Sequence, residues 1–181
     1  MKSLEDQMSV YAAYHQDARN KATHFVGVPV IVFSLMIPLG WLRAEVAGVP
    51  LSAALAVTAL LLLYYLALDV PLGLAMAAVL GLMLWGAAPL SQAPLGTGLA
   101  WFAALFVGGW ALQLWGHVYE GRKPALADNL LQVFVAPIFL AAEAFFALGY
   151  KPALHDEVQR RARELRAQAG LTAAAGSLRS A

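Results

Sequence analysis

The sequence predicts an all-α, polytopic integral membrane helix bundle with about four crossings and a fifth apolar helix that is re-entrant or buried among the others. Three observations predict it. Of 181 residues, 61% are hydrophobic and only 13% are charged, against roughly 45–50% and about 25% in water-soluble domains. Between Val46 and Tyr119 the only charged side chain is Asp69. Pro, Gly and that lone acid divide the apolar sequence into five runs, at about 25–42, 51–68, 71–88, 98–117 and 130–149. Each approaches the roughly 20 residues that a helix needs to cross about 30 Å of hydrocarbon.

The elements follow in order. The first 24 residues carry Lys2, Glu5, Asp6 and Asp17 before any apolar run begins, unlike a secretory signal, so run one reads as a retained anchor. Asn20 is the expected N-cap of that helix, and the residues before it are expected to form a separate amphipathic helix on the membrane surface. Runs two to four read as plain spans. Run five carries Asn129, Gln132, Pro137 and Glu143, a costly set for lipid contact, which is why it is expected inside the bundle or as a re-entrant segment. Residues 1–150 then form one membrane-embedded domain. Residues 151–181 are expected to be a short polar helix followed by disorder.

Orientation follows from short-loop Lys and Arg. Arg19 and Lys21 precede run one, Arg122 and Lys123 lie between runs four and five, and Lys151, Arg160, Arg161, Arg163 and Arg166 follow run five. Four crossings place all three groups, and both termini, on the cytoplasmic side; five crossings with a weakly obeyed charge rule are the alternative. The Ala-, Leu- and Arg-rich composition points to a bacterial cytoplasmic membrane, with the endoplasmic reticulum membrane as the eukaryotic counterpart.

Several function classes are excluded. A net charge of +1 with few basic residues gives no nucleic-acid footprint. The absence of cysteine removes disulfides, thiolate nucleophiles, iron–sulfur clusters and Cys-ligated zinc. No nucleophile elbow, phosphate loop or dinucleotide fingerprint is present. Imidazole and carboxylate remain as metal ligands.

All four histidines lie outside the charge-free hydrocarbon: His15, His24, His117 and His155. Four crossings put them on one face. His15 and His24, nine residues apart, point to opposite sides of one straight helix, so sharing a metal requires a break between them. Trp110, Gln113, His117 and Glu120 follow 3, 4, 3 spacing on one helical face. Asn129, Gln132 and Glu143 form a polar stripe on run five. A His/carboxylate site with an open position matches the 2-His-1-carboxylate arrangement of non-haem Fe(II) oxygenases, and zinc accepts similar ligands.

Two blocks carry a resemblance. Tyr14-His15, Asn20, His24, Gly27 and Pro29 form the first; Gln113, Gly116-His117, Glu120-Gly121-Arg122-Lys123-Pro124-Ala125, Asp128-Asn129, Gln132, Ala136-Pro137-Ile138-Phe139 and Glu143 form the second. Together they resemble the Mpo1-like family over about residues 1–150. The resemblance implies an integral membrane, Fe(II)-dependent dioxygenase of fatty-acid α-oxidation. Such an enzyme uses O2 to convert a 2-hydroxy long-chain fatty acid to the acid one carbon shorter. It further implies His15, His24 and His117 as iron ligands, Glu120 or Glu143 as the carboxylate candidate, and Asn20, Gln113, Asn129 and Gln132 as supporting polar groups. Arg19, Lys21, Arg122 and Lys123 are candidates to steer or hold the substrate carboxylate. Two rival readings stand beside it. One is a non-enzymatic small transporter or scaffold; the other is a di-iron-type lipid hydroxylase, a class that uses about eight histidines where this chain has four.

Overall fold

The computed structural model describes residues 3–121 and 132–179. It contains seven helices and one short hairpin, in the order α1 (Leu4–Tyr14), α2 (Ala18–Trp41), β1 (Arg43–Val46), β2 (Val49–Ser52), α3 (Ala53–Leu68), α4 (Val70–Gln92), α5 (Leu95–Glu120), α6 (Gln132–Ala147) and α7 (Pro152–Arg179). The fold is all-α apart from the hairpin, which the helical pattern of the sequence did not announce. Its tight turn is made by Ala47 and Gly48, both at positive φ (51° and 79°), the backbone that matches the twist of two antiparallel strands.

Helix starts are set by capping side chains that accept otherwise orphaned backbone N–H groups. Ser3 and Asp6 form a reciprocal capping box at α1. Asp17, not Asn20, caps α2, its Oδ1 accepting from Arg19 N at 2.8 Å. The helix therefore begins seven residues ahead of the apolar run it carries, and Asn20 lies buried inside it. Ser52 caps α3. Asp69, the lone acid of the apolar stretch, ends α3 and caps α4, its Oδ1 taking Leu72 N at 3.1 Å while Oδ2 pairs with Lys151. Both lone-pair faces of a carboxylate in an apolar setting are thereby satisfied.

Three helices, α2, α4 and α5, are long and apolar enough to cross a membrane. Run two forms only the 16-residue α3, about 24 Å at 1.5 Å per residue. Large apolar side chains point outward along α3, α4 and α5, among them Leu60, Leu63, Leu82, Trp85 and Val107. That is the inverse of a water-facing surface. Run five becomes α6, with Val135 to Leu140 and Ala142 buried, packed against α4, α1 and α2.

The expected polar C-terminal helix is α7. Among the described residues α7 continues to Arg179 and packs along α1. Val158 and Ala162 enter the core, and Arg161 bridges to Asp6 at 3.0 Å and to Glu157 at 2.7 Å. The two segments flanking the apolar helices thus form one layer at the end where α2 begins and α5 ends.

The most intimate helix contact is the antiparallel pairing of α2 with α5, and glycine makes it possible. A Cβ on Gly109 would sit 2.7 Å from Ile31 Cγ1 and 3.2 Å from the Gly27 carbonyl oxygen. Small residues at such a crossing let backbones approach and gain dispersion contacts, the main attraction left where lipid replaces water. Gly109→Ala is expected to lower the thermal midpoint, at an overpacking cost of about 1–3 kcal/mol. Gly108→Ala, one residue away and facing open space, is expected to be neutral or stabilising by up to about 1 kcal/mol. Thermal melts of the detergent-solubilised protein measure both.

Candidate metal centre

Three histidines from three elements meet just below the layer of α1 and α7. His15 is the C-cap of α1, His24 lies one turn inside α2, and His117 lies in the last turn of α5. All three are buried, and their nearest ligand nitrogens lie within 4.8 Å of one another. Ring centroids are 4.6 Å apart for His15 and His24, 5.1 Å for His15 and His117, and 5.0 Å for His24 and His117. The break that the nine-residue spacing demands is present: α1 stops at Tyr14 and α2 restarts at Ala18.

The second glycine contact of the α2–α5 crossing sets this distance. A Cβ on Gly116 would fall on the Thr23 hydroxyl, 2.6 Å from Asn20 Oδ1 and 3.2 Å from His24 Nδ1. Only a bare Cα next to His117 lets the α2 turn carrying His24 come so close.

Hydrogen bonds fix the ring orientations. His15 Nδ1 lies 2.8 Å from the Tyr11 carbonyl oxygen, and His24 Nδ1 lies 2.9 Å from the Asn20 carbonyl oxygen. A carbonyl can only accept, so each Nδ1 carries the proton and each Nε2 offers its lone pair. Those two Nε2 atoms face one another at 3.2 Å. Two lone pairs at that distance repel unless a cation lies between them. Tyr11 stacks on His15, centroids 4.0 Å apart and planes within 8°, which holds the ring from its face.

The rings are held neutral by their surroundings. Burial, reinforced by His24 and His117, pushes the His15 pKa down to about 2 from the ordinary 6.5. Neutral nitrogen donors grouped in this way could hold a metal ion, and such a set suits iron, zinc, copper or nickel.

The acids do other work. Glu120 is buried, but its Oε2 accepts from Gln16 N at 2.9 Å, Asp17 N at 2.8 Å and Asn20 Nδ2 at 3.2 Å, while its Oε1 pairs with Arg166. Its carboxylate clamps the α1–α2 elbow that carries His15. Glu143 pairs with Lys21 at 2.8 Å. Among the described residues, neither acid joins the group formed by the three imidazoles. His155 packs on Phe146 instead, with centroids 4.9 Å apart.

The remaining expected residues divide. Asn20 supplies the carbonyl for His24; Gln113 and Gln132 line the cavity above the imidazoles. Arg19 pairs with Asp17 at 3.0 Å and lies over the Tyr119 ring, so both described cations expected to steer substrate are engaged within the chain. Arg122, Lys123 and Asn129 lie outside the described residues. Sequence reasoning missed Tyr11, whose i, i+4 spacing to His15 was a readable signal, and Arg166, whose reach from the tail to Glu120 was not.

The imidazoles form one end of a cavity of about 70 Å³ walled by Val28, Ile31, Val32, Trp110, Val133 and Ala136. A second cavity, of about 170 Å³ and almost wholly apolar, lies between α2, α4 and α6 and shares Val28 and Val32 with the first.

The low His15 pKa has a stability consequence. In the fold His15 stays neutral, while the unfolded chain takes up a proton below about 6.5. The stability it contributes is therefore fully present above that pH and is lost as pH falls from 6.5 toward 2. Metal-free protein is expected to unfold at lower temperature at pH 5 than at pH 7.5, and His15→Gln is expected to flatten part of that dependence in calorimetric scans.

Comparison with known proteins identifies the family. The profile of the family described as "2-hydroxy-palmitic acid dioxygenase Mpo1-like" matches residues 1–148. The 2-hydroxy-palmitic acid dioxygenase MPO1 of Saccharomyces cerevisiae is 36% identical over 171 residues, which cover 91% of this chain and 95% of the yeast protein. A match of that extent includes part of α7, beyond the two sequence blocks. No solved structure matches. With its apolar helices and histidine cluster, this chain belongs to the Mpo1-like family.

Proposed function

We propose that the chain is an Fe(II)-dependent dioxygenase of the membrane that shortens a 2-hydroxy fatty acid by one carbon. The observation that carries this reading is the convergence of three buried imidazoles at the end of a largely apolar cavity. The yeast relative is named for a dioxygenase acting on a 2-hydroxy acid, and that substrate class suits the site. The overall reaction balances without an outside reductant. A 2-hydroxy acid and O2 give the shorter acid, CO2 and water; the C1–C2 bond breaks, and the four electrons that O2 accepts all come from C1 and C2.

His15, His24 and His117 would hold the ion. When bound, it supplies Lewis-acid and redox chemistry toward the substrate and O2. The protein's own groups do the rest. The Tyr11 and Asn20 carbonyls hold two rings in the tautomer that binds metal. Glu120 fixes the elbow behind His15. Three neutral ligands add no negative charge, so the substrate carboxylate is the anion that balances the ion. Val28, Ile31 and Val133 keep bulk water away from it. The alkyl chain passes the Val28 and Val32 wall into the apolar cavity between α2, α4 and α6. Arg19 and Lys21, each paired within the chain, act on the substrate carboxylate through their field rather than by direct contact. With α3 as a fourth, short crossing, the histidines and both termini face the cytoplasm, as the positive-inside rule requires.

Purified protein is expected to carry one iron per chain and to consume O2 with 2-hydroxypalmitate, yielding the acid one carbon shorter. His24→Ala and His117→Ala are expected to lose the metal and at least 100-fold in rate. A protein that turns over no 2-hydroxy acid with Fe(II) present, and keeps its properties in both variants, is a scaffold or transporter. Val32→Trp is expected to cut the rate on long-chain substrates at least tenfold while sparing short-chain ones, as assays over a chain-length series will show.

A further inference from the structure

Two glutamines remain without an explained role. Gln113 on α5 and Gln132 at the start of α6 are both 7% exposed and both line the cavity that the three imidazoles close. Among the described residues, the Oε1 atoms of both are buried with no hydrogen-bond partner. Leaving a buried acceptor unsatisfied costs about 1–3 kcal/mol, so two of them in one 70 Å³ cavity mark a place where a ligand donor belongs.

The chemistry of the ligand then narrows. An amide Oε1 can only accept, and an ionised carboxylate can only accept. A fatty acid anion therefore cannot satisfy either oxygen. A 2-hydroxy fatty acid carries one donor near its carboxylate, the hydroxyl O–H. The aliphatic walls, Val28, Ile31, Val32, Val133 and Ala136, carry no acceptor; beside the imidazoles the Tyr11 hydroxyl also lines the cavity, but among the described residues the acceptors there that are buried without a partner include the two glutamine oxygens. We propose that Gln113 and Gln132 are the specificity-determining pair that reads the 2-hydroxyl, one of their amide oxygens accepting its proton. This rests on the substrate class proposed above and adds the residues that select it. The selection works mainly by rejection: an unsubstituted acid entering the cavity displaces solvent and leaves the acceptors bare, the situation in which polar sites discriminate most strongly.

The test is equilibrium binding without turnover. Anaerobic titrations of the purified, metal-loaded protein with 2-hydroxypalmitate and with palmitate give a preference ratio for the wild type, for Gln113→Met and for Gln132→Met. Methionine keeps the length and removes the acceptor. At least one variant is expected to lose roughly tenfold to 100-fold of the preference, mainly by binding palmitate more tightly than wild type, which also shows that it is folded. The ratio staying unchanged in both variants overturns the proposal. Equal weakening toward both acids in both variants also overturns it, because the glutamines then serve packing alone. A wild type that does not prefer the hydroxy acid sinks the proposed substrate itself, an outcome distinct from either.

Discussion

The closeness of α2 and α5 is the constraint on which the site depends. Gly27, Gly109 and Gly116 remove the side chains that would hold the two helices apart. In water, burial of apolar surface could pull helices together at many separations; in lipid that driving force is gone and close packing takes its place. The same approach that holds the two helices together puts His24 beside His117. Stability and ligand geometry are thus set by one row of missing methyl groups. A methyl at Gly116 would strike Thr23 and Asn20, the turn that orients His24.

His15 reaches the same point by a different device. It ends a helix in place of lying within one, and the short connection to α2 is held by a single carboxylate. Glu120 accepts two backbone N–H groups and one amide N–H from the residues between His15 and the first turn of α2. Such orphan donors at a helix start must find an acceptor, and a charged acceptor forms the stronger bonds. Arg166 neutralises the other oxygen from α7. A carboxylate saturated in this way is a poor metal ligand, since coordination would strip it from its donors. That is the physical reason a Glu three residues after a histidine belongs to the scaffold here, despite a spacing that suits metal binding.

Much of the architecture was legible because membrane helices announce themselves through composition alone. The apolar runs, the break between His15 and His24, and the burial of the fifth run all followed from apolar length, helical period and the cost of polar groups in lipid. The boundaries were less legible. Asp17 took the cap expected of Asn20, because a helix can begin well before its apolar stretch when polar residues cover the first turn. The hairpin at 43–52 and the docking of α7 on α1 depend on local turn geometry and on tertiary ion pairs such as Arg161 with Asp6; neither leaves a periodic signal. At the centre, the imidazoles were readable as the last ligands left to a chain without cysteine. The partners of Glu120 and Glu143 were not, because Arg166 and Lys21 reach them from positions 46 and 122 residues away.

The placement of charge is consistent with the lipid acid proposed as substrate. The described ionisable side chains near the site are paired within the chain: Lys21 with Glu143, Glu120 with Arg166, Arg19 with Asp17. The cavity itself is lined by neutral groups. A metal ion held only by neutral imidazoles would keep its full positive charge in a setting of low dielectric, where that charge is expensive unless an anion joins it. A water-soluble anion would have to give up its hydration to enter an apolar pocket. A fatty acid already partitions to the lipid boundary, so on the proposed reading its chain would gain apolar contact in the groove beyond Val28 and Val32 while its head group met the charge of the ion. Neutral donors, apolar walls and a site at the edge of the apolar helices therefore answer together to the one demand that the proposed substrate makes: an acid that brings its own hydrocarbon.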